Sequence, residues 1–202
     1  SRIARSTVMA KKLLDILSER FGSSIVLSTH DQCGDETAVL DAAHWREVAT
    51  FLRDDPRCKM NMLVDLCGVD HIWDSQRLEV VAHLNSLELG HRLRIKARVG
   101  DEDCEGAVID SLVPVWVGAN WFERETFDMF GIRFEGHPDL RRILLYEEFE
   151  GHPLRKDYPA AKTQPLVPYR EGPDVLGKLP PFGPDEGMVF GRKHLDYMKE
   201  ED

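Results

Sequence analysis

The spacing of apolar residues in the first forty positions changes from a helical to an extended period. From Ile3 to Phe21 apolar residues recur every three or four positions and Gly22 follows, which predicts an amphipathic helix with a glycine C-cap. Short strands are predicted over residues 24–28 and 36–40, with a turn at residues 31–35 between them. The chain therefore starts as a helix followed by a pair of short strands.

A second helix is predicted after these strands. Asp41 is placed to act as its N-cap, and the helix runs to about Arg53, where residues 54–56 end it. Four apolar residues share its inner stripe: Trp45, Val48, Ala49 and Leu52. The mostly apolar run from Met62 to Val69 then predicts a buried strand.

The clearest extended pattern is a pair of runs over residues 78–84 and 93–99, separated by a turn at residues 88–91. Strict alternation in the second run predicts an antiparallel hairpin with one apolar and one basic face. The basic face carries Arg92, Arg94, Lys96 and Arg98. This stripe is either a solvated sheet face or a docking surface for an acidic neighbour.

A third helix is predicted to begin near Ser111, to break at Gly118 and to end at Phe130, before Gly131. At 100° per residue its apolar side chains face two ways, with Trp121, Phe122 and Met129 on one side and Phe127 and Phe130 on the other. Such a helix has to be covered on more than one side. We expect a partner chain or the C-terminal segment to supply the second cover.

The same helix carries four charged side chains: Glu123, Arg124, Glu125 and Asp128. Burial of unpaired charges costs several kcal/mol each, so counterions are expected. Arg124 lies one i,i+4 step from Asp128, and Arg141, Arg142 and Arg155 follow downstream. An acid/base pair of Glu123 and Glu125 is the alternative, but residues two positions apart diverge by about 200° on a helix and do not converge on one bond.

After Tyr158 the composition shifts, because seven of the eleven prolines fall between Pro159 and Pro184. We predict a folded unit over residues 1–158 and, over residues 159–202, an extended Pro-rich arm. The arm is rich in apolar residues, so we expect it to pack on partner subunits rather than to remain free.

Composition narrows the possible partners. The 202 residues include 36 acidic and 26 basic ones, a net charge of -10, which argues against a nucleic-acid binder. The longest charge-free run in the most apolar region, residues 111–122, contains Pro114 and Gly118 and falls short of the ~20 apolar residues that span a bilayer. Charged residues interrupt the first positions, so no apolar export signal is expected, and the four cysteines form no C-x-x-C pair.

Two similar segments raise the possibility of a metal site. Glu-Gly-His-Pro occurs at residues 135–138 and 150–153, so His137 and His152 could bind a metal together with a carboxylate such as Asp128. Gly and Pro around each histidine equally favour a turn in which the imidazole is a hydrogen-bonded anchor. If the two histidines and Asp128 bind a metal, the alternative function is that of a metal-dependent hydrolase.

The motifs resemble those of a known family. Glu123-Arg124-Glu125, Asp128-Met129-Phe130-Gly131-Ile132 and His137-Pro138, with Leu140, Arg141 and Ile143, resemble the signature of the 30 kDa subunit family of respiratory complex I. Residues 151–159, Gly-His-Pro-Leu-Arg-Lys-Asp-Tyr-Pro, are similar to the second stretch of that family. The resemblance implies structural and interface roles for Glu123, Arg124, Glu125, Asp128, Gly131, His137, Pro138, Arg141, Arg142, His152, Arg155 and Asp157.

The resemblance also implies an architecture and a function. The fold would be α+β, with a small, largely antiparallel or mixed sheet, flanking helices and an extended C-terminal arm. The chain would contain no catalytic residue, cofactor or metal, while FMN, iron–sulfur clusters and quinone would belong to neighbouring subunits.

Implied partners are the 49 kDa-like subunit that helps form the quinone site and the iron–sulfur subunits. The implied location is the cytoplasmic side of a bacterial inner membrane, or the matrix side in a mitochondrion, with membrane contact only through the complex. The corresponding subunit of a photosynthetic ferredoxin:plastoquinone complex or a membrane-bound hydrogenase is the nearest alternative, since the same signature serves these enzymes.

Overall fold

A five-stranded mixed sheet organises the fold; the structure is a computed structural model that describes residues 13–104 and 106–166. In chain order its strands are β1 (Val26–His30), β2 (Thr37–Leu40), β3 (Met62–Asp70), β4 (Leu78–Ser86) and β5 (His91–Val99). They lie in the order β1-β2-β5-β4-β3, and the β2–β5 pair is parallel while the other pairs are antiparallel. A separate parallel pair joins β6 (Val108–Asp110) to β7 (Arg133–Glu135).

In the described parts of the chain, three α-helices accompany the sheets. The described part of α1 covers residues 13–21, and α2 and α3 cover Trp45–Asp54 and Ala119–Phe130. Single 3-10 turns occupy Gln32–Gly34 and Ala42–His44. The predicted α+β fold class is thereby confirmed.

The hydrophobic core lies between one face of the five-stranded sheet and the helices. Even-numbered residues of β4 and odd-numbered residues of β5 point to this face, as alternation along a strand requires. The predicted inner stripe of α2 is fully buried against them: Trp45, Val48, Ala49 and Leu52. Pattern and packing agree in this half of the chain.

The basic stripe of β5 lies on the opposite face, where it meets acids of the same chain. Arg94 contacts Asp35 at 2.9 Å, and Lys96 and Arg98 both contact the buried Glu79 at 3.2 Å. Arg92 is the most exposed of the four, at 3.5 Å from Asp35. The stripe is therefore largely neutralised within the chain rather than left as an unpaired basic surface.

The boundaries near the first two strands differ from the prediction. β1 begins at Val26, because residues 23–25 turn and the Val26 N–H donates to the Gly22 carbonyl at 3.0 Å. Asp41 makes no side-chain cap bond; its carboxylate accepts from His44 Nδ1 at 2.9 Å, and the helix enters through the 3-10 turn. The predicted N-cap function of Asp41 is wrong, although its position before the helix is correct.

The start of α3 at Ser111 is also wrong, since the helix begins at Ala119. Residues 111–118 form turns in which the N–H groups of Val115 and Trp116 both donate to the Leu112 carbonyl, each at 2.8 Å. The end at Phe130 is correct: Gly131 has φ 78° and its N–H donates to the Phe127 carbonyl at 2.8 Å, as in a left-handed C-cap.

The described residues through Pro165 belong to one compact unit. Within residues 13–104 and 106–166, no helix is both long and apolar enough to cross a bilayer. The predicted boundary at residue 158 remains a prediction. From residue 167 onward the predicted arm lies outside the described residues, so its course stays a prediction too.

Candidate functional site

Helix α3 packs along the edge strand β3. The Thr126 hydroxyl donates to the Leu66 carbonyl at 3.4 Å, and a Cβ at Gly68 would lie 2.6 Å from the Phe130 ring. A side chain at position 68 would therefore force the Phe130 ring or the helix to shift. Phe122 and Phe130 both pack against the core, although the sequence pattern predicted them on opposite sides of the helix.

The opposite side of α3 is less covered than predicted. Trp121 is 63% exposed, and the Arg124 guanidinium lies over its ring at 5.5 Å from the centroid. The loop after β7 covers Phe127 and Asp128 instead. Its Arg142 contacts Asp128, and the His152 ring lies edge-on to Phe127. Part of the second cover thus comes from residues 142–155, which belong to the predicted folded unit, and cover by the C-terminal segment stays a prediction.

Glu123 is completely buried and is held by the turn that precedes α3. Its carboxylate accepts from the Ser111 hydroxyl at 2.7 Å and from the Leu112 N–H at 2.6 Å. Burial raises the pKa of Glu123 to about 7, because those two hydrogen bonds and the nearby charge of Arg46 only partly offset the desolvation of the carboxylate. Its predicted arginine counterion is replaced by a hydroxyl and a backbone N–H.

Asp128, equally buried, holds a loop. Its carboxylate contacts Arg142 Nη1 at 2.7 Å and accepts from the N–H groups of residues 143, 144 and 145 at 3.2, 2.9 and 2.9 Å. Burial alone would raise the pKa of Asp128, but these backbone and guanidinium donors together hold it below the ordinary value. The carboxylate is the centre around which this loop turns.

Arg142 joins the two signature stretches. Besides Asp128, its guanidinium donates to the carbonyls of Phe149 and Gly151 at 3.0 and 3.1 Å. The predicted i,i+4 pair of Arg124 with Asp128 is wrong: Arg124 donates instead to the carbonyls of Arg141 and Arg142 at 3.2 and 3.3 Å. The two arginines have complementary tasks, because one neutralises Asp128 and the other anchors the loop backbone.

Residues of the second stretch cap the C-terminus of α3. His152 Nδ1 donates to the Asp128 carbonyl at 3.0 Å, the Leu154 N–H to the Met129 carbonyl at 3.1 Å and Arg155 Nε to the Phe130 carbonyl at 2.6 Å. The last carbonyls of a helix lack partners within it and carry its negative dipole end, which favours cationic and N–H donors here. A Cβ at Gly131 would lie 2.5 Å from Arg155 and 2.6 Å from His152, so only glycine fits at this cap.

An ion-pair network with a buried centre at Arg77 and Asp70, which sequence reasoning missed, ties the exposed Asp157 of the second stretch to the sheet. Arg77 contacts Asp70 at 2.7 Å and Asp157 at 2.9 Å, and Asp70 also accepts from the Lys156 N–H at 2.7 Å. The Arg77 guanidinium lowers the pKa of both carboxyls. Asp70 ends β3 and Arg77 directly precedes β4, so their closeness was a possible hairpin signal; their link to Asp157 had no local signal.

The proposed histidine ligands are occupied by backbone groups. His137 Nε2 donates to the Asn120 carbonyl at 3.2 Å, and Nδ1 accepts from the Asp139 N–H at 3.0 Å. Within residues 13–104 and 106–166, no three His, Cys, Asp or Glu side chains are grouped to hold a metal ion. The turn-anchor interpretation of both histidines agrees with this geometry: His152 contacts the backbone carbonyl of Asp128, while the Asp128 carboxylate binds Arg142 and backbone N–H groups.

The remaining signature residues face outward. Glu125 and Pro138 are exposed, and Arg141 pairs with Asp139 at the surface at 3.0 Å. Because Glu123 is buried and Glu125 is exposed, the two carboxylates do not meet at one bond. Nearby apolar side chains are exposed as well: Val117, Trp121, Leu144, Tyr146 and Leu154.

The fold and the site together define an α+β domain in which two loop stretches lock the C-terminal half of one helix and present a mixed apolar and charged surface. Residues 38–164 match the family model described as respiratory-chain NADH dehydrogenase, 30 Kd subunit. The chain therefore belongs to this family.

Relatives of known name agree with the family. The chain is 46% identical over 142 residues to an NADH-quinone oxidoreductase subunit of Burkholderia cenocepacia, which is 67% of this chain and 70% of that protein. It is 45% identical over 157 residues to the equally named protein of Polynucleobacter asymbioticus, 75% of each chain. A solved structure of the trypsin-resistant fragment (1-134) of Nqo5 is similar at 29% identity and a TM-score of 0.54, covering 64% of this chain and 99% of that one.

Proposed function

We propose that this chain is a peripheral-arm subunit of a proton-translocating NADH:quinone oxidoreductase, with a structural and assembly role beside the 49 kDa-like quinone-site subunit. Family membership and relatives named as subunits of this oxidoreductase support the proposal. Exposed apolar side chains around the locked helix supply a surface that a partner can bury.

One observation carries the structural part of the proposal. Asp128 is the carboxylate that a metal-dependent hydrolase would need, yet three backbone N–H groups and Arg142 occupy it. The signature residues bind backbone groups of this chain, which supports a structural role. A reaction would need acid, base or nucleophile groups aimed at a common open space.

In this proposal the redox groups belong to the neighbours. Electrons pass from NADH through FMN and iron–sulfur clusters to quinone in other subunits, while this chain aligns the quinone-site subunit with the iron–sulfur subunits. The chain would lie on the cytoplasmic side of a bacterial inner membrane and touch the membrane only through the complex.

The proposal is tested by assembly in a bacterial strain that carries the altered gene in place of the native copy. Asp128→Ala and Arg142→Ala remove the two centres of the loop lock, so we expect several-fold less assembled complex on native gels. Asp54→Ala, which alters an exposed pair with Arg53, is the control and should leave assembly unchanged. Normal assembly in both lock variants would contradict the scaffold role.

Two further measurements separate the alternatives. Stoichiometric flavin, iron or nucleotide bound to the chain purified alone would contradict a cofactor-free scaffold. Mass spectrometry of the intact complex identifies the neighbouring chains: an NADH-oxidising flavoprotein supports the proposal, whereas a hydrogenase subunit or a photosynthetic partner would replace it. The names of the relatives favour the NADH-linked enzyme.

A further inference from the structure

A groove of about 240 Å³ lies between α3 and β3, beside the signature motif. Met129, Phe130 and Leu154 give it apolar lining, and Asp65 and Glu125 bring one carboxylate from each element. We call this feature the acid-rimmed groove. Its shape is fixed where the helix approaches β3 over Gly68.

The two carboxylates of the groove differ from most acids of this protein in being unpaired. In the described parts of the chain, neither the Asp65 nor the Glu125 carboxylate makes a hydrogen bond or ion pair, whereas the carboxylates of Asp35, Asp70 and Asp128 each contact an arginine. Asp65 and Glu125 both lie close enough to Cys67 in the groove for their charges to affect the pKa of its thiol. Burial raises the pKa of Cys67, and the negative charges of Asp65 and Glu125 add to that effect.

An apolar groove with two unpaired carboxylates matches one kind of side chain. Lysine and arginine bury an aliphatic stem along apolar surface and place a cation at its end. The lining of Met129, Phe130 and Leu154 suits the stem, and Asp65 and Glu125 suit the cation. A wholly apolar occupant would leave two carboxylates desolvated and unpaired, which is unfavourable.

From this complementarity we infer that the acid-rimmed groove receives a lysine or arginine side chain of a neighbouring subunit. The inference rests on the proposed function, because it needs a partner chain. It goes further in assigning the site on this chain and the chemistry of the group that enters it. Trp121 and Leu144 supply exposed apolar surface elsewhere around the same helix and loop.

Carboxyl labelling of the purified complex tests the occupancy. A water-soluble carbodiimide with a small amine modifies exposed carboxylates, and mass spectrometry reports the extent at each position. Glu125 is exposed in this chain, as is Glu19 on α1. We expect Glu125 to be modified about tenfold less than Glu19 in the intact complex and comparably to it in the released full chain. Equal modification of both in the complex would overturn the inference.

The charge of the occupant is tested by a double neutral variant. Asp65→Asn with Glu125→Gln keeps the shape of the groove, and Asp15→Asn with Glu19→Gln on α1 is the matched control. We expect the groove variant to leave the purified complex about tenfold faster at moderate salt, with a weaker dependence of the rate on salt, and the control to behave as the unaltered chain. Equal release rates of groove variant and control would show that no cation is bound there.

The outcomes separate the groove from the proposed function. Absence of the chain from the purified complex would contradict the proposed function itself. Presence of the chain with Glu125 freely labelled would contradict only the groove. Loss of Glu125 protection on adding a chelator at constant salt would show a divalent cation in the groove and would also overturn the inference.

Discussion

Two buried carboxylates on α3 show how the number of donors decides the charge state of a residue. Glu123 accepts two hydrogen bonds and Asp128 four, counting the contact with Arg142. Burial raises the pKa of Glu123 because two donors do not offset it, whereas the four donors of Asp128 outweigh burial and lower its pKa. Each carboxylate fixes a different neighbour, the turn before the helix or the loop after it.

Glu123 makes stability depend on pH near neutrality. Its pKa rises on folding from 4.5 to about 7, so the folded state binds more protons in that interval and the contribution to stability is full below pH 4.5. As pH rises to about 7, the free energy of unfolding should fall by roughly 3 kcal/mol from this group. We expect Glu123→Gln to flatten this slope, because an amide does not titrate. The variant should keep the local structure, since the amide oxygen can accept from the Leu112 N–H and the NH2 can donate to Ser111.

Urea unfolding at half-unit steps between pH 5 and pH 8 measures the effect. Glu147→Gln changes an exposed carboxylate and is the control. An unchanged slope in Glu123→Gln would show that the carboxylate does not titrate in this range. Three other carboxylates affect stability only at acidic pH, because folding lowers the pKa of Asp70, Asp128 and Asp157. Their stabilisation is present above the ordinary carboxyl pKa and is lost as the pH falls below it.

Sequence predicts single residues well only when their partners are local. The buried stripe of α2 and the glycine at position 131 follow from short-range rules, and both are confirmed. The i,i+4 rule pairs Arg124 with Asp128, but Arg142 takes that place from 14 residues downstream. No period in the sequence reports a bond across a loop, so the correct arginine could be named only as one of several candidates.

Among the elements, α3 and β3 form the contact on which the site depends. The hairpin of β4 and β5 was predictable because alternation is an intrinsic strand signal. The start of α3 was not, because residues 111–118 contain apolar side chains at positions that a helix would also accept. Their turns are fixed by Glu123, whose carboxylate holds Ser111 and Leu112 from within the helix.

Gly68→Ala should separate these elements. The new Cβ would lie 2.6 Å from the Phe130 ring, so the ring or the helix must shift, and we expect a loss of about 1–3 kcal/mol in the free energy of unfolding. Gly118→Ala is the matched control, since nothing lies within 4 Å of its Cβ and its φ is -61°. Urea unfolding measures both variants.

The double variant Gly68→Ala with Phe130→Leu tests the cause. A smaller side chain at position 130 removes the ring that the new methyl group meets, so the double variant should lose less stability than the two separate losses added together. Strict additivity would show that the close approach is not the reason for the loss.

Across the whole molecule, charge is arranged in pairs that connect distant parts of the chain. The net charge of -10 does not by itself predict these pairs. The basic stripe of β5 forms ion pairs with Asp35 and Glu79, and Asp70 at the end of β3 pairs with Arg77. The net charge therefore does not indicate which charges pair; the topology of the fold determines that. The Arg77 network could not be predicted because Asp157 lies 80 residues from Arg77.

Arg77→Met should release the second signature stretch. Among the described residues, the Asp70 carboxylate would keep only the Lys156 N–H as a donor, and an uncompensated buried carboxylate costs about 3 kcal/mol or more. We expect faster trypsin cleavage after Lys156 under native conditions and a lower free energy of unfolding. Arg57→Met, which alters an exposed pair with Asp55, is the control. Equal cleavage rates in both variants would show that Arg77 does not hold the second signature stretch in place.

The bond between Asp70 and the Lys156 backbone, 86 positions apart, has a consequence for synthesis on the ribosome. The sheet can pair once residue 99 has emerged, but the cap on α3 waits for residues 142–157. A chain interrupted between these points would keep its sheet and lack the finished surface. Arrested chains ending at residue 136 should thus show the circular dichroism of β-strands without incorporation into the complex, so that the surface for assembly is finished only after residue 157 has emerged.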